Sequence, residues 1–589
     1  MSDEKKDGTI YPTTESTTHK VVREATLEAA VQRALLQDNG FFTGAPDDYD
    51  KTLCLMPQTV VRFLQATQPE KWDAYRKILG EDAEAKVLRR IRDVIDRNGT
   101  LYLLRKGFDE SGHHFEMCFF KPTHGLNPDV EKLYEGNVFH VVRQVSYSRA
   151  NKNSLDMAIF LNGLPIFTTE LKNKLTGQTV AHARRQYRND RDPKEPLFRF
   201  GRCLAHFAVD TDMVFMATAL TGKSTYFLPF NIGNDGGAGN PPRMDGIATA
   251  YLWEEIWTRE SILDLVQRFI QVMDELDEKG RKTGKKRQIF PRYHQLDAVR
   301  RLTDDARSSG SGLSYLNQHS AGSGKTIEIA TLATSLATLY GADNKPVFTT
   351  VVVVSDTRVI DRMLQRTLRQ FVQTAGMLEN IDQTSRQLKA ALEDGKKIIV
   401  STIHKFPVIM EEMEALPSSR FAVIIDEAHS SQAGKVAGAV NRVLSYATEI
   451  QDRDEEEETV EDQVVAEIMK RRGRMKHVSF FAFTATPKPE TLELFGTPNS
   501  QTKKKEPFSI YSMRQAIEEK FILDVLRNYT TYNQYFNLLK TVQNDPEVDK
   551  RKASRLLKKY VTDQRPPIQR KTRIMVDHFL ANVANGCGG

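Results

Sequence analysis

The sequence of 589 residues has little of what secreted, metal-cluster and membrane proteins are built from. It has only 4 cysteines, Cys54, Cys118, Cys203 and Cys587. None stands at paired spacing, so we expect free thiols rather than disulfides or a zinc cluster. The longest apolar runs, such as 347–354, are of strand length, well short of the roughly 20 residues that cross a membrane. Because no apolar segment follows the charged N-terminus, the sequence predicts a cytoplasmic protein.

An excess of charge of one sign is also lacking. The 83 Lys and Arg residues exceed the 77 Asp and Glu residues by only 6, which is too little to indicate a nucleic-acid partner by itself. The charge is instead clustered, with basic stretches at 281–287, 470–476 and 503–505 and an acidic one at 452–458. We expect the acidic and basic stretch at 452–476 to be an exposed insertion.

A phosphate-loop motif, HSAGSGKT, is present at residues 319–326. It follows a strand-like stretch at 313–317 and opens a helix-compatible run at 327–339, which is the order of strand, glycine turn and helix that such a loop requires. His319 replaces the usual first glycine. A variable first position is typical of helicase-type loops rather than of small kinases or GTPases.

The motif predicts binding of ATP. Gly322, Ser323 and Gly324 form the turn, and its glycines let backbone N–H groups surround the phosphates. Lys325 reaches the β and γ oxygens, and the Thr326 hydroxyl is a ligand of Mg²⁺.

A second motif, DEAH at 426–429, ends the apolar strand 421–425. The strand delivers its acidic residues to the carboxyl edge of a parallel sheet, where ligands bind. We expect Asp426 to hold Mg²⁺ and Glu427 to orient and deprotonate the attacking water. The alternative is a chance Asp-Glu pair at a helix N-terminus, which the neighbouring phosphate loop disfavours.

Two further elements complete a helicase order. The stretch FFAFTATP at 480–487 is predicted to be a buried strand that runs into Thr484 and Thr486, which couple the γ-phosphate to nucleic-acid contacts. The stretch FPRYHQ at 290–295 has the form used to recognise adenine, with Gln295 able to bond both donor and acceptor edges. The four elements resemble the first RecA-like lobe of superfamily 2 DNA translocases and helicases.

A candidate nuclease site lies upstream on two strands joined by an Asn162-Gly163 turn. Alternation along the second strand places Glu170 and Lys172 on the same face, and Asp156 on the neighbouring strand can meet both. Two carboxylates beside a lysine make a Mg²⁺ site, in which the metal activates water and the lysine stabilises charge on the scissile phosphate.

This arrangement resembles the PD-(D/E)XK nuclease core, although Leu155 stands where the family has Pro. Charged residues at such spacing are also common on exposed hairpins, which is the alternative interpretation. Glu170 lies in a mostly apolar strand, however, where an uncompensated carboxylate is costly.

Two features are expected to support this site. Residues 178–191 are predicted to form a basic helix whose Gln186, Tyr187 and Arg188 are suited to phosphate contacts, the alternative being a solvated helix face. Glu28, on a predicted amphipathic helix, is a candidate for the extra acid that such nucleases often place on their first helix. A solvated helical glutamate is the alternative.

Several long runs resemble the restriction (R, HsdR) subunit of type I restriction-modification enzymes. They lie at 145–173, 186–188 with 198–202, 227–231 with 239–241, 319–325, 483–487 and 511–519. The resemblance implies a nuclease and a double-stranded DNA translocase in one chain, which joins methyltransferase (M) and specificity (S) subunits. It also implies that DNA is pulled in with ATP and cut, with Mg²⁺, far from the recognition site.

The chain is therefore predicted to be an α/β protein of three parts. Residues 1–270 form a PD-(D/E)XK-like nuclease with a mixed sheet, 271–500 the first RecA-like lobe with a doubly wound parallel sheet, and 501–589 the beginning of a second RecA-like lobe. The polar stretch 277–288 is expected to be a linker or surface loop that joins the nuclease to the motor, and 496–507 is expected to be the hinge between RecA-like lobes. Because a lobe needs about 150 residues, we expect a fragment of a longer chain.

Two other functions remain open from the sequence. A helicase or remodelling motor with a non-cleaving DNA-binding module predicts that Asp156, Glu170 and Lys172 do not converge. An assembly subunit without catalysis predicts neither ATP turnover nor nicking. The glycine-rich stretch 231–240 is expected to be a surface loop, because Pro241 and Pro242 follow where a helix would have to begin.

Overall fold

The structure is a computed structural model. It describes residues 24–122, 127–174, 177–277, 280–355, 358–371, 377–380, 385–426, 468, 475–499 and 501–524. Within these ranges, the residues up to Phe521 form one compact unit. None of the described helices is long and apolar enough to span a bilayer. Cys54, Cys118 and Cys203 are buried free thiols, as expected, and Cys587 lies outside the described residues.

The N-terminal part is built on a mixed sheet. Its strands, with a small hairpin formed by the second and third, are β1 Phe42–Gly44, β2 Phe108–Glu110, β3 His113–Phe115, β4 Phe139–Ser146, β5 Ser154–Leu161, β6 Leu164–Leu171, β7 Ala205–Val209, β8 Val214–Ala217 and β9 Leu228–Pro229. The sheet order is β1-β4-β5-β6-β7-β8-β9, with β1/β4 and β6/β7 parallel and the other pairs antiparallel. The predicted mixed sheet is confirmed.

Helices flank this sheet. They are α1 Glu24–Gln37, α2 Pro57–Thr67, α3 Pro69–Leu79, α4 Ala83–Asn98, α5 Thr100–Lys106, α6 Pro128–Glu135, α7 Val180–Asn189 and α8 Arg259–Asp264, with π-helical turns at Leu252–Ile256 and Leu265–Phe269. Short 3₁₀ turns lie at Pro46–Asp48, Gly80–Asp82, Pro196–Phe198 and Gly222–Ser224. The predicted basic helix is shorter than expected, because α7 ends at Asn189 and leaves Arg191 beyond it.

The stretch 277–288, expected to be a linker or surface loop, contains most of the second strand of a β-hairpin. Strands β10 Gln271–Leu276 and β11 Lys282–Ile289 pair in antiparallel fashion. Residues 282–287 of β11 are exposed. The sequence did not reveal this strand, because a strand exposed to solvent shows no alternation of apolar and polar residues.

The second part has the predicted parallel sheet. Its strands are β12 Ser314–His319, β13 Thr350–Ser355, β14 Leu378–Asn380, β15 Ile398–Thr402, β16 Phe421–Asp426, β17 Val478–Thr484, β18 Thr497–Pro498, β19 Lys505–Glu506 and β20 Ser509–Tyr511. Its helices are α9 Tyr293–Ser309, α10 Lys325–Ala337, α11 Arg358–Phe371, α12 Ser385–Glu393, α13 Phe406–Glu414, α14 Pro489–Phe495 and α15 Met513–Glu518, with a 3₁₀ turn at Ile403–Lys405. The order of the main sheet is β14-β15-β13-β16-β17-β12-β20, and every described pair within it is parallel, whereas β18 and β19 form a separate antiparallel pair.

Alternate residues of the central strands enter two different hydrophobic cores. Val351 and Val353 of β13 belong to one core, and Val352 and Val354 belong to the other. A parallel sheet covered on both faces has this pattern, which confirms the doubly wound α/β fold.

The two parts share the first of these cores, which runs from the nuclease-like sheet into the motor lobe. At their junction, the ring of Phe290 lies 5.9 Å from those of Phe167, Phe207 and Phe230 in edge-to-face geometry. Such packing stabilises beyond the area buried. The boundary at residue 270 remains a prediction, but the chain crosses it without a break in the core.

The predicted hinge at 496–507 is also structured. Strands β18 and β19 form a two-stranded ladder, and β20 then pairs with β12 at the edge of the motor sheet. Residues 509–511 therefore belong to the first lobe, although they lie beyond the boundary predicted at residue 500.

The glycine-rich stretch 231–240 is a loop, as expected, and it contacts α15. The backbone N–H of Ala238 donates to Glu518 at 2.7 Å, and the Ser512 hydroxyl donates to the carbonyl of Gly236. This contact connects the N-terminal part to the end of the motor lobe.

Candidate nuclease and nucleotide sites

The predicted hairpin that carries the nuclease residues is present. Asn162 and Gly163 have positive φ of 52° and 84°, which is the conformation that a two-residue turn of this type needs. Met157 of β5 pairs with Thr169 of β6. Asp156 and Glu170 are the next residues away from the turn, so they lie side by side. Lys172 follows the end of β6, and its backbone N–H donates to Val209 at 2.8 Å.

Asp156 and Lys172 are in direct contact. Lys172 Nζ lies 3.3 Å from Asp156 Oδ2, and the same oxygen accepts the backbone N–H of Leu171 at 2.8 Å. Lys172 is 6% exposed. These bonds hold the Asp156 carboxylate in one orientation and place a positive charge beside it.

Glu170 is fully buried and is paired with an arginine that the sequence had not singled out. Arg191 Nε donates to Glu170 Oε1 at 2.7 Å, whereas no described residue bonds Glu170 Oε2. Burial raises the pKa of Glu170 to about 8; the Asp156 charge adds to the rise, and Arg191 opposes it. The carboxylate thus has one oxygen occupied and the other open.

This donor set fits a divalent cation. Asp156 and Glu170 lie next to each other, and a buried carboxylate oxygen without a hydrogen bond is costly unless a cation or proton meets it. Hard carboxylate oxygens are the ligands that Mg²⁺ and Ca²⁺ take. The three side chains that the sequence placed at this site therefore do converge.

Glu28 is not a solvated helical residue, so that alternative is wrong. It is 5% exposed on α1, where Arg143 donates to Glu28 Oε2 at 2.9 and 3.0 Å and Gln144 donates to Oε1 at 3.2 Å. Gln144 also accepts from Ser154 at 3.1 Å, at the start of β5. Glu28 therefore lies near the nuclease hairpin, and its role as an extra acid remains a prediction.

Helix α7 buries one side, with Val180, Ala183 and Tyr187, and exposes residues on the other. Tyr187 is buried, and its hydroxyl bonds Thr168 at 2.9 Å. The guanidinium of Arg188 lies over the ring of Phe227 and donates to the Thr225 carbonyl at 3.1 Å. Gln186 is half-buried, and DNA contact by Gln186 and Arg188 remains a prediction.

The phosphate loop has the geometry that an anion requires. Gly322 and Gly324 have φ of 75° and 82°, so their backbones turn as in an anion-binding nest. Lys325 is the first residue of α10, and its Nζ lies 3.2 Å from the His319 carbonyl, across the loop. The buried Ser323 hydroxyl has no hydrogen-bond partner among the described residues. Thr326 follows on the first turn of α10, where the sequence placed it.

Gln295 holds the phosphate loop through hydrogen bonds to its backbone carbonyls. Its amide donates to the carbonyls of Ser323 and Gly324 at 2.9 and 3.1 Å, and its oxygen accepts the Arg292 backbone N–H at 2.9 Å. Both the nitrogen and the oxygen of the Gln295 amide are thus hydrogen-bonded. Contact with adenine would require these bonds to break. Adenine recognition by Gln295 remains a prediction.

Arg292 is a supporting residue that the sequence did not identify. It donates to the Gly322 carbonyl at 2.9 Å and to Glu519 at 2.9 Å, and it lies over the ring of Tyr511. Arg292 therefore joins the phosphate loop to the end of α15. The stretch FPRYHQ gave its position but not this role, because Glu519 is distant in sequence.

His319, at the unusual first position of the loop, is also explained. Its ring nitrogens bond Glu328 at 2.9 Å and Ser509 at 3.0 Å, and all three residues are buried. A glycine here would leave Glu328 and Ser509 without these bonds.

The remaining motor residues lie at the same edge of the sheet. Asp426 ends β16 and is 3% exposed, while Thr484 ends β17 opposite Gln318. Because β17 lies between β12 and β16, Asp426 and the phosphate loop are separated by about two strand spacings, or about 10 Å. Thr486 is exposed beyond the strand end. Glu427 lies outside the described residues, as does most of the 452–476 insertion.

Two family models match the two parts of the chain. The model described as type I restriction enzyme R protein N terminus matches residues 22–225, and that of the SWI2/SNF2 ATPase matches residues 294–559. The fold and the two matches thus define a class of protein, in which a domain like the N terminus of type I R proteins is joined to a SWI2/SNF2-type ATPase lobe. Domains of these two kinds use a nucleotide and divalent metal ions.

Curated relatives narrow the class. The HindI endonuclease subunit of Haemophilus influenzae, a type I restriction enzyme, is 27% identical over 456 residues, which are 73% of this chain and 38% of the relative. A protein of Methanocaldococcus jannaschii named as the endonuclease subunit of type I enzyme MjaVIIIP is 24% identical, over 64% of this chain and 36% of the relative. The chain is thus similar to the endonuclease subunits of type I restriction enzymes over the residues that match.

The chain spans little more than a third of the length of these relatives, 38% and 36%. Among solved structures, a fragment described as an HsdR subunit from Vibrio vulnificus YJ016 is 16% identical, covers 77% of this chain and 66% of that one, and has a TM-score of 0.26. At that score the structural likeness adds nothing to the assignment.

Proposed function

We propose that the chain supplies the nuclease and the motor of a type I restriction-modification complex. In this function it translocates double-stranded DNA with ATP and cuts it, with Mg²⁺, far from the recognition site. Methyltransferase (M) and specificity (S) subunits are the proposed partners, and the cytoplasm is the proposed location. The names of the two curated relatives support this proposal.

One observation carries the proposal. A converged cluster of Asp156, Glu170 and Lys172 and a phosphate cradle at Gly322–Lys325 occur in one compact unit with a shared core. A non-cleaving DNA-binding module has no need of a buried carboxylate pair beside a lysine, since buried charges are costly. That alternative predicted that Asp156, Glu170 and Lys172 would not converge, so their proximity favours a nuclease.

At the nuclease site, Asp156 and Glu170 are the residues that would hold Mg²⁺. When bound, a divalent cation lowers the pKa of water and polarises the phosphate. Lys172, fixed beside Asp156, offers its ammonium to the phosphate oxygen on which charge builds. The buried walls of the site strengthen both effects, because water is kept away.

At the motor site, the backbone N–H groups of Gly322 to Gly324 bind phosphate oxygens and Lys325 neutralises their charge. Thr326 and Asp426 are the residues that would hold Mg²⁺ there. Glu427 is the proposed base for the attacking water.

The test is cleavage of circular DNA that carries a target site, by the chain reconstituted with M and S subunits, ATP and Mg²⁺. Lys172→Ala should abolish cleavage and keep ATP hydrolysis, whereas Lys325→Ala should abolish both. Lys174→Ala is the matched control, because Lys174 lies two residues further on and pairs with the exposed Asp212. It should cleave like the wild type.

Two outcomes would contradict the proposal. Cleavage that survives in Lys172→Ala would show that another site cuts the DNA. A wild-type chain that binds neither ATP nor DNA in the complete complex would indicate an assembly subunit without catalysis.

A further inference from the structure

Arg191 bonds Glu170 of the candidate nuclease site, although it was not among the residues predicted for that site. It is 6% exposed and lies just beyond the C-terminal end of α7. Its guanidinium reaches Glu170 Oε1 at 2.6 Å, the Tyr147 hydroxyl at 3.3 Å and the Ser154 carbonyl at 2.9 Å. The side chain is therefore fixed at several points and cannot turn freely.

The pairing divides the Glu170 carboxylate into two unequal oxygens. Oε1 is occupied by Arg191, and Oε2 is buried with no hydrogen-bond partner among the described residues. Asp156 is divided in a similar way, because its Oδ2 accepts from Leu171 and Lys172. Each carboxylate thus keeps one oxygen for the protein and leaves one for a cation.

The charges around the site point to what Arg191 does. Asp156 and Glu170 carry two negative charges when ionised, and Lys172 and Arg191 carry two positive ones. A site of zero net charge attracts a dication less strongly than a site with one uncompensated negative charge. Arg191 therefore does not increase the affinity for the cation, as a residue that only supported a ligand would.

We propose that Arg191 is the positioning residue of the nuclease site, which reserves one Glu170 oxygen so that a divalent cation meets the other oxygen together with Asp156. The inference rests on the proposed nuclease function and assigns a geometry to that site. Without Arg191, both Glu170 oxygens are open to the cation. Glu170 would then hold a cation more tightly, but it would no longer present one fixed oxygen to it, and cleavage would slow.

The first measurement is the affinity of the full chain for Mn²⁺ without nucleotide, monitored by electron paramagnetic resonance at a fixed alkaline pH. The second is DNA cleavage by the reconstituted complex. Arg191→Gln should bind Mn²⁺ about tenfold more tightly and cleave at least about tenfold more slowly, within the range seen when residues around a metal site are changed. Arg191→Lys keeps the charge, so its Mn²⁺ affinity should stay near that of the wild type. Its cleavage should be partly restored.

Arg202→Gln is the matched control. Arg202 is 3% exposed in the same domain and pairs with Asp96 instead of a site residue. It should lower the melting temperature without changing Mn²⁺ affinity. If Arg191→Gln does not fold, the comparison of Arg191→Lys with wild type decides, since the charge argument predicts equal affinity and a purely structural role predicts weaker binding.

The outcomes separate this inference from the proposed function. Wild-type Mn²⁺ binding that is unchanged in Asp156→Ala would overturn the nuclease site itself. Binding that depends on Asp156 but weakens in Arg191→Gln would overturn only the role of Arg191.

Discussion

The nuclease site and the motor site are assembled in different ways. Asp156 and Lys172, which are in contact, are 16 residues apart on one hairpin. Arg292 and Glu519, which brace the phosphate loop, are 227 residues apart. The first site depends on one turn and one strand register, whereas the second depends on the order of a whole sheet.

The two sites also differ in what they present to a ligand. The nuclease site is a set of buried charged side chains, each held by another. The phosphate loop offers backbone N–H groups at two left-handed glycines, and buried side chains hold its carbonyls from below. Loss of one charge should therefore disable the first site, whereas the second should weaken in steps as its supports are removed.

Asp156→Asn should give the largest effect, a fall in cleavage of about a thousandfold, because it alters a proposed cation ligand and the partner of Lys172. ATP hydrolysis should be unchanged. The measurement is cleavage and ATP hydrolysis in the reconstituted complex, with Asp212→Asn as the control at the exposed Lys174 pair. A parallel fall in ATP hydrolysis would show that the two sites are not separable.

Gly324→Ala should have the next largest effect, a loss of nucleotide affinity of about a hundredfold, because the new Cβ would lie 2.5 Å from the Gln295 amide and the residue has φ of +82°. Gly395→Ala is the matched control. It also has positive φ, at +64°, but nothing lies within 4 Å of its Cβ position. Equal losses in both variants would assign the effect to backbone strain alone.

Gln295→Ala sharpens the comparison, since it removes three hydrogen bonds around the phosphate loop. At about 1 kcal/mol each, these predict a destabilisation of about 2–3 kcal/mol. Affinity should be measured for ATP and GTP. An equal loss for both indicates support of the loop alone, whereas a loss of the preference for ATP would establish the adenine contact predicted from the sequence.

The smallest effect is a dependence of stability on pH, which comes from one buried histidine in the N-terminal part and one in the motor lobe. Burial lowers the pKa of His206 to about 3 and that of His294 well below its ordinary value. The unfolded chain takes up these protons first, so stability is complete above the ordinary pKa of about 6.5 and is lost as pH falls below it. For each histidine, the free energy of unfolding should fall by up to about 1.4 kcal/mol per pH unit below about pH 6.

Unfolding by urea at several pH values measures this slope. His206→Gln and His294→Gln should each reduce it, and only His294→Gln, which lies under the phosphate loop, should also lower nucleotide affinity. Exposed His182→Gln is the control. An unchanged slope in both buried variants would contradict the assignment.

The sequence predicted best what is local. The Asn162-Gly163 turn and the alternation after it predicted that Asp156, Glu170 and Lys172 lie close together, as they do in the structure, because a hairpin fixes its own register. The glycines of the phosphate loop were likewise identified, since their spacing and context are local.

What the sequence did not show comes from tertiary pairing. Arg191 meets Glu170 only because α7 returns the chain beneath the sheet, and Arg292 meets Glu519 only because β20 joins the motor sheet. The hairpin strand β11 was missed for a similar reason, because pairing with β10 and not its own pattern makes it a strand.

The most direct test of the account measures DNA cleavage and ATP consumption in the same reaction for Lys172→Ala, in the reconstituted complex with Mg²⁺. The account predicts that the variant consumes ATP at the wild-type rate when DNA is present and leaves the circular DNA intact. Cleavage at the wild-type rate would contradict the assignment of the nuclease to the 156–172 hairpin. Loss of ATP consumption as well would contradict the claim that the chain carries two separable sites.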